Sequence, residues 1–183
     1  IMSLRDTHKA DLVSMMIEGA AQPIGTLGLG NLLMTPNGVP THNKTSVWHS
    51  APSTTFSHEI GHNHGCGHDA GNGSSLFPWA RGDYFTGGST GYRTVMSYQK
   101  TGFNTRASVF SSPTVQHKGG TTGSANADNK KCIIQTNPAV EKYPTSKVKL
   151  KYGSKKSAYP WTRHFHRGYP AEIIREWKRK LKN

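Results

Sequence analysis

The segment 58–69 constrains this chain more than any other part of its sequence. It contains His58 and His62, followed at fixed offsets by Gly65 and His68. On a helix, residues four apart project from one face, so the first two imidazoles can share one Zn²⁺. Gly65 allows a sharp turn that brings His68 back to the same ion. The spacing predicts a His₃ zinc site with one position open for water, as in catalytic zinc sites.

Glu59 lies one step round the helix from these histidines. That position is too far round for a natural third ligand, but it suits a carboxylate that hydrogen-bonds a water at the metal and accepts its proton. A structural zinc site has no use for such a group. The alternative is a histidine-rich loop without a defined metal site, and the added Gly65 and His68 argue against it.

The sequence HEIGHNHGCGHD resembles the extended zinc signature of the metzincin metalloendopeptidases, HExxHxxGxxH followed by a family-specific residue. Asp69 in that last place, with Asn63 inside the motif, is similar to the reprolysin/adamalysin branch, which includes the ADAM proteases. The segment 92–98 resembles the Met-turn, whose methionine, here Met96, forms a hydrophobic floor beneath the metal. The resemblance implies a zinc endopeptidase with one catalytic Zn²⁺ and Glu59 as general base, acting on protein or peptide substrates.

The resemblance extends to two further features. In astacin- and serralysin-like metzincins a tyrosine at the place of Tyr98 can ligate zinc or stabilise the transition state, while simple packing is the other interpretation. Upstream, the sequence TLGLG resembles the edge strand that pairs with the extended substrate. This interpretation assigns Gly28, Leu29 and Gly30 to substrate binding, and the alternating glycines by themselves predict an exposed or closely approached strand.

Cys66 and Cys132 could form a disulfide between the turn after the active-site helix and a C-terminal helix, although unbridged cysteines are favoured. The Cα separation that decides this cannot be read from sequence. His64 stands where the family normally has an apolar residue, and we expect it to be hydrogen-bonded or exposed.

The predicted fold is α+β, a metzincin-like zincin with a small twisted sheet, an active-site helix and an irregular C-terminal subdomain containing the Met-turn. Asp11–Glu18 predicts a buried strand, with a two-turn helix as the alternative. The predicted sequence of elements continues with a strand at 26–30, a loop over 31–46 and a strand starting at Val47. A helix then runs from Ser53 as N-cap to Gly65, irregular connections span 69–92 and 119–126, and a helix covers 128–135.

The charge is concentrated at one end. The chain carries +13, from 23 basic and 10 acidic residues, and +10 of this lies in residues 147–183. We therefore expect a catalytic domain over 1–146 and a basic C-terminal tail over 147–183, with a short amphipathic helix at 171–181. Such a tail can bind a polyanion or an anionic membrane surface through Coulomb attraction, or simply be a solvated segment. No specific nucleic-acid recognition is predicted.

Two other classes of function stay open. Only 57 residues precede His58, fewer than metzincin catalytic domains usually carry, so the N-terminal part is expected to be shortened and the chain could be a catalytically impaired zinc-binding fragment. A cationic module acting through 147–183 is the second alternative. The sequence contains no run of 18 apolar residues, so it predicts no membrane-spanning helix. The family resemblance implies a secreted or extracellular protein, although no signal segment follows Ile1.

Overall fold

The computed structural model describes residues 7–8, 10–17, 27–36, 42–46 and 54–141. These residues form an α+β fold with small sheets and two helices, which agrees with the predicted class. The strands are β1 Val13–Ile17, β2 Gly28–Gly30, β3 His42–Ser46, β4 Tyr84–Gly87, β5 Thr90–Arg93, β6 Thr105–Arg106, β7 Gln116–His117 and β8 Gly120–Thr121. The helices are α1 Thr55–Asn63 and α2 Asn129–Val140. The predicted strand at Val47 and the tail 147–183 with its helix lie outside the described residues.

A three-stranded sheet stands beside helix α1. Its strand order is β1-β3-β2, with β1 parallel and β2 antiparallel to β3. β1 confirms the predicted strand over the helical alternative, but its predicted burial is wrong, because Met15 and Met16 are 39% and 36% exposed. β2 confirms the strand predicted from TLGLG. The loop predicted over 31–46 is wrong for β3, which forms the middle of the sheet. Its sequence, HNKTS, has no apolar periodicity, so main-chain pairing on both sides defines a strand that side-chain pattern could not reveal.

Helix α1 begins one residue later than predicted. Thr54 is its N-cap, without a side-chain capping bond, so the expected cap at Ser53 is wrong. The predicted stop is confirmed. Gly65 adopts a φ of +83°, and its N–H donates to the His62 carbonyl at 2.8 Å. A Cβ at this position would come within 2.6 Å of Leu76 Cβ, so the turn needs glycine for both its conformation and its packing.

Two segments predicted to be irregular contain short strands. Within 69–92, β4 and β5 form an antiparallel hairpin, and β6 adds to β5 in parallel. Within 119–126, β8 pairs with β7 through a tight turn in which Lys118 and Gly119 have φ values of +52° and +82°. Two successive positive φ values suit the twist of a two-residue hairpin. Gly88 and Gly119 therefore mark the turns of these two hairpins.

Helix α2 extends further than predicted. Asp128 caps it by accepting a hydrogen bond from the Lys131 N–H at 3.0 Å, and the helix continues five residues beyond Gln135, to Val140. It buries Cys132 in a core with four other residues that are at most 2% exposed: Cys66, Ala80, Val95 and Met96. This core joins α2 to the turn after α1. Among the described residues, no helix has the length and apolar character needed to cross a bilayer.

Candidate metal centre

Three histidines converge at the C-terminal half of helix α1. His58 and His62 come from successive turns of the helix, and His68 comes from the loop that Gly65 turns back. The Nε2 atom of His68 lies 3.2 Å from Nε2 of His58 and 3.1 Å from Nε2 of His62. One nitrogen from each ring lies within 4.8 Å of the others. The structure thus brings together the three histidines that the sequence spacing predicts.

The other ring nitrogen of each histidine determines what the three Nε2 atoms can do. Each Nδ1 faces a backbone carbonyl: Val95 at 2.9 Å from His58, Cys66 at 2.8 Å from His62, and Asn72 at 3.2 Å from His68. A carbonyl oxygen only accepts, so each Nδ1 carries the proton. In a neutral imidazole the Nε2 is then a bare lone pair. Three lone pairs that face one another repel unless a cation lies between them.

Burial keeps these rings neutral. It lowers the pKa of His58 to about 3 and that of His62 to about 4, and it lowers the pKa of His68 as well. Two nitrogens that each bind a Zn²⁺ at ~2.05 Å in tetrahedral geometry lie ~3.3 Å apart, close to the two short separations found here. Imidazole nitrogens suit Zn²⁺ among the divalent transition metals. The donor set and these two separations therefore fit a zinc ion.

Glu59 is packed between helix α1 and the edge of the sheet. It is 4% exposed, and the Gly30 N–H hydrogen-bonds to it. Burial raises the pKa of Glu59 to about 7, although this hydrogen bond and the charge of Arg106 act in the opposite direction. A Cβ on Gly28 would overlap the carboxylate, and one on Gly30 would lie 2.9 Å from Oε2. The two glycines of β2 thus leave room for a carboxylate beside the histidines.

Met96 lies in a tight turn on the core side of the helix. The Ser97 N–H donates to the Thr94 carbonyl at 3.1 Å, which closes the turn. The Met96 side chain is fully buried, and its sulfur lies so close to Gly61 that a Cβ there would come within 2.5 Å. The same turn offers the Val95 carbonyl to His58. Its role as the Met-turn of the family stays a prediction.

Asp69 ties the loop of His68 to this turn, a role that the motif alone did not reveal. Its Oδ1 accepts from the Tyr98 N–H at 2.8 Å and its Oδ2 accepts from Asn72 Nδ2 at 2.6 Å. Burial opposes ionisation, but these hydrogen bonds dominate and lower the pKa of Asp69. Tyr98 itself is 45% exposed, with its ring centroid 4.1 Å from that of His68. Asp69 therefore fixes both the third histidine and the tyrosine that covers it.

The centre opens into a cavity of about 580 Å³. The three histidines, Glu59, Tyr98 and all of strand β2 line it, so the structure gathers the predicted catalytic, metal-binding and edge-strand residues around one space. Two arginines that sequence reasoning missed, Arg93 and Arg106, also line it. They come from β5 and β6, inside segments that carried no strand signal, and so could not be placed near the histidines from sequence.

Cys66 and Cys132 are both buried and free, so the disulfide that the sequence allowed is not formed. Each thiol donates to a backbone carbonyl, Cys66 to Asn129 at 3.6 Å and Cys132 to His64 at 3.2 Å. Burial raises the pKa of the Cys66 thiol well above its ordinary value. His64 is buried and its Nδ1 lies 3.1 Å from Thr136 Oγ1. It is hydrogen-bonded, and it stands outside the histidine cluster.

An α+β fold that holds a His₃ centre with a buried carboxylate at its side has the site of a metal-dependent hydrolase. The model of metallo-peptidase family M12, in its reprolysin-type form, matches residues 2–111, and the chain belongs to this family. The resemblance drawn from the zinc motif is thereby confirmed.

Two curated relatives are similar to this chain, and both are named peptidyl-Asp metalloendopeptidase. They come from Stenotrophomonas maltophilia strains K279a and R551-3, and each is 29% identical over 144 residues. The match covers 76% of this chain and 33% of each relative, so the chain spans about a third of the length of the relatives it matches. No solved structure matches the chain.

Proposed function

We propose that this chain is a zinc-dependent endopeptidase domain that hydrolyses peptide bonds, with His58, His62 and His68 as the zinc ligands and Glu59 as the general base. The observation that carries the proposal is the set of three Nε2 atoms that converge beside the Glu59 carboxylate inside one open cavity, on rings whose Nδ1 atoms each face a backbone carbonyl. Membership in family M12 and the names of the two relatives support the same activity.

The protein's residues divide the work of hydrolysis between them. A bound Zn²⁺ supplies Lewis-acid activation of water and of the scissile carbonyl. Glu59 accepts the proton of the attacking water at a carboxylate oxygen and later gives it to the departing amine. The Gly30 N–H holds this carboxylate in place. The carbonyls of Val95, Cys66 and Asn72 hold the three imidazoles in the tautomer that leaves each Nε2 free to bind metal.

Strand β2 supplies a surface for an extended peptide. Among the described strands, β2 pairs only with β3 and lies at the edge of its sheet. It also lines the cavity beside Glu59. An extended substrate can add to such an edge through main-chain hydrogen bonds. Leu29, which is 55% exposed, would contact substrate side chains beside the scissile bond.

The substrate class follows from charge. The cavity lining contains two arginines and one acidic residue, Glu59, and a bound Zn²⁺ adds two further positive charges. The relatives are named for action at peptidyl-Asp. We propose that this domain likewise favours peptide bonds next to an acidic residue, because a positive cavity attracts and orients that side chain.

The test is zinc content measured together with chelator-sensitive cleavage of a denatured general protein substrate. Wild-type protein should contain one Zn²⁺ per chain and lose activity on chelation, and both should return when zinc is restored. His62→Ala should lose zinc, whereas His8→Ala, a matched change at an exposed histidine, should retain it. Zinc binding without any cleavage would favour a catalytically impaired fragment, and full zinc retention by His62→Ala would overturn the ligand assignment.

A further inference from the structure

Arg93 and Arg106 stand side by side at the cavity wall. They are register partners on the parallel strands β5 and β6, so their side chains project from the same face of the sheet. Like charges in such positions repel. Burial lowers the pKa of Arg106, and the charge of Arg93 lowers it further. A pair of this kind is most stable when an anion lies against it.

The two arginines differ in what they already bind. Arg93 donates from Nη1 to the Ser97 carbonyl at 3.1 Å and from Nε to the Asn104 carbonyl at 3.4 Å. Its guanidinium is therefore engaged in holding the end of the turn that carries Met96. Removing it would disturb the structure beside the metal centre as well as the charge of the cavity.

Arg106 has no such engagement at its Nε, which is buried without a hydrogen-bond partner in the described part of the chain. Buried donors are nearly always paired in native proteins. The acidic group that acts on Arg106 is Glu59, and the proposed function assigns that carboxylate to the water. Arg106 also lines the cavity, so a carboxylate bound there would pair with its guanidinium and leave Glu59 free for catalysis.

We propose that Arg106 is the specificity-determining residue of this site and binds the carboxylate of an acidic substrate side chain next to the scissile bond, with Arg93 as a positioning residue. This inference rests on the proposed endopeptidase function. A guanidinium presents two parallel N–H groups that match a carboxylate. An aspartate or glutamate side chain would take both, whereas the isosteric amide of asparagine presents one acceptor and one donor.

The experiment compares two peptides that differ only by Asp or Asn beside the scissile bond. The measured quantity is the ratio of kcat/KM for the Asp peptide to that for the Asn peptide, because changes in the shared catalytic machinery cancel in it. Arg106→Gln should lower this ratio at least tenfold, and Arg106→Lys, which keeps the charge but loses the planar fork, should lower it less. Lys130→Gln removes one charge from an exposed lysine outside the cavity and should keep the wild-type ratio.

A binding measurement separates this inference from the proposed function. In zinc-loaded Glu59→Gln protein, fluorescence anisotropy of the labelled peptides should show tighter binding of the Asp peptide, and adding Arg106→Gln should abolish the difference. If wild-type protein cleaves nothing while this difference in binding is found, the proposed function fails and the role of Arg106 stands. The assignment of Arg106 is wrong if Arg106→Gln protein retains zinc and keeps the wild-type preference for the Asp peptide in both measurements. If the Gln variant does not fold, the same result with Arg106→Lys overturns the assignment.

Discussion

The closest packing at the site is between Glu59 and the two glycines of strand β2, and it makes a paired prediction. An alanine Cβ at position 28 would overlap the Glu59 carboxylate oxygen and lie 2.7 Å from Cδ. At position 30 it would lie 2.7 Å from the Glu59 backbone oxygen and 3.0 Å from His62 Cβ. The first clash meets the movable end of a side chain, while the second meets the helix itself.

These different neighbours predict different losses. Overpacking costs ~1–3 kcal/mol, and replacing glycine by alanine returns about 0.4–1 kcal/mol through the unfolded chain. Gly30→Ala cannot relax without moving helix α1, so it should lower the free energy of unfolding by roughly 1–2 kcal/mol, or Tm by about 2–8 °C. Gly28→Ala should change the free energy of unfolding by less than ~1 kcal/mol, because the carboxylate can turn away. That displacement of the base should lower kcat by about 10²-fold.

The assay combines thermal unfolding of the zinc-loaded variants with kcat for a peptide substrate. Leu29→Ala, between the two glycines, is the stability control. The Leu29 side chain is 55% exposed, so its removal should change the free energy of unfolding by less than ~0.5 kcal/mol. A Gly28→Ala variant with wild-type kcat would refute the reasoning, since Glu59 would then tolerate displacement. A Gly30→Ala variant as stable as Leu29→Ala would show that α1 does not press on β2.

Three further predictions concern the loop of the third ligand, the thiols and the tail. Asp69→Asn replaces an acceptor by a donor opposite Asn72 and should weaken zinc affinity by ~10-fold, measured by chelator competition; unchanged affinity would refute its clamping role. Cys66 and Cys132 should be unreactive towards a thiol reagent in folded protein and both should react after denaturation, so absence of reaction in denaturant would reveal a disulfide. Deleting 147–183, which carries most of the net charge, should abolish salt-sensitive retention on heparin with zinc retained; unchanged retention would place the anion-binding surface elsewhere.

The metal ligands could be predicted because their geometry is local. Helical spacing places His58 beside His62, and a single glycine brings His68 back, so no distant contact enters the argument. The groups that orient these rings could not be predicted in the same way. The carbonyls of Val95 and Asn72 are backbone atoms, which no residue identity reveals, and their approach depends on the path of the turn and the loop.

The arginines of the cavity could not be predicted for a related reason. Arg106 reaches the site because β6 pairs with β5 in parallel, and β6 is only two residues long. So short a strand has no detectable periodicity. Strand β3 was missed because its polar sequence is defined by main-chain pairing alone. Helix α2 was placed correctly at its start, where Asp128 provides a side-chain signal, but not at its end. The helix continues to Val140 and contains Pro138, a residue type that usually interrupts a helix.

The most direct test of the central claim is the zinc content and peptide hydrolysis of Glu59→Gln protein. This change keeps the shape of the side chain and removes its ability to accept a proton. The variant should keep one Zn²⁺ per chain while kcat falls by at least ~10²-fold, and Glu141→Gln, the same change at an exposed glutamate, should leave both unaltered. Hydrolysis by the zinc-loaded Glu59→Gln variant at the wild-type rate would contradict the assignment of Glu59 as the general base.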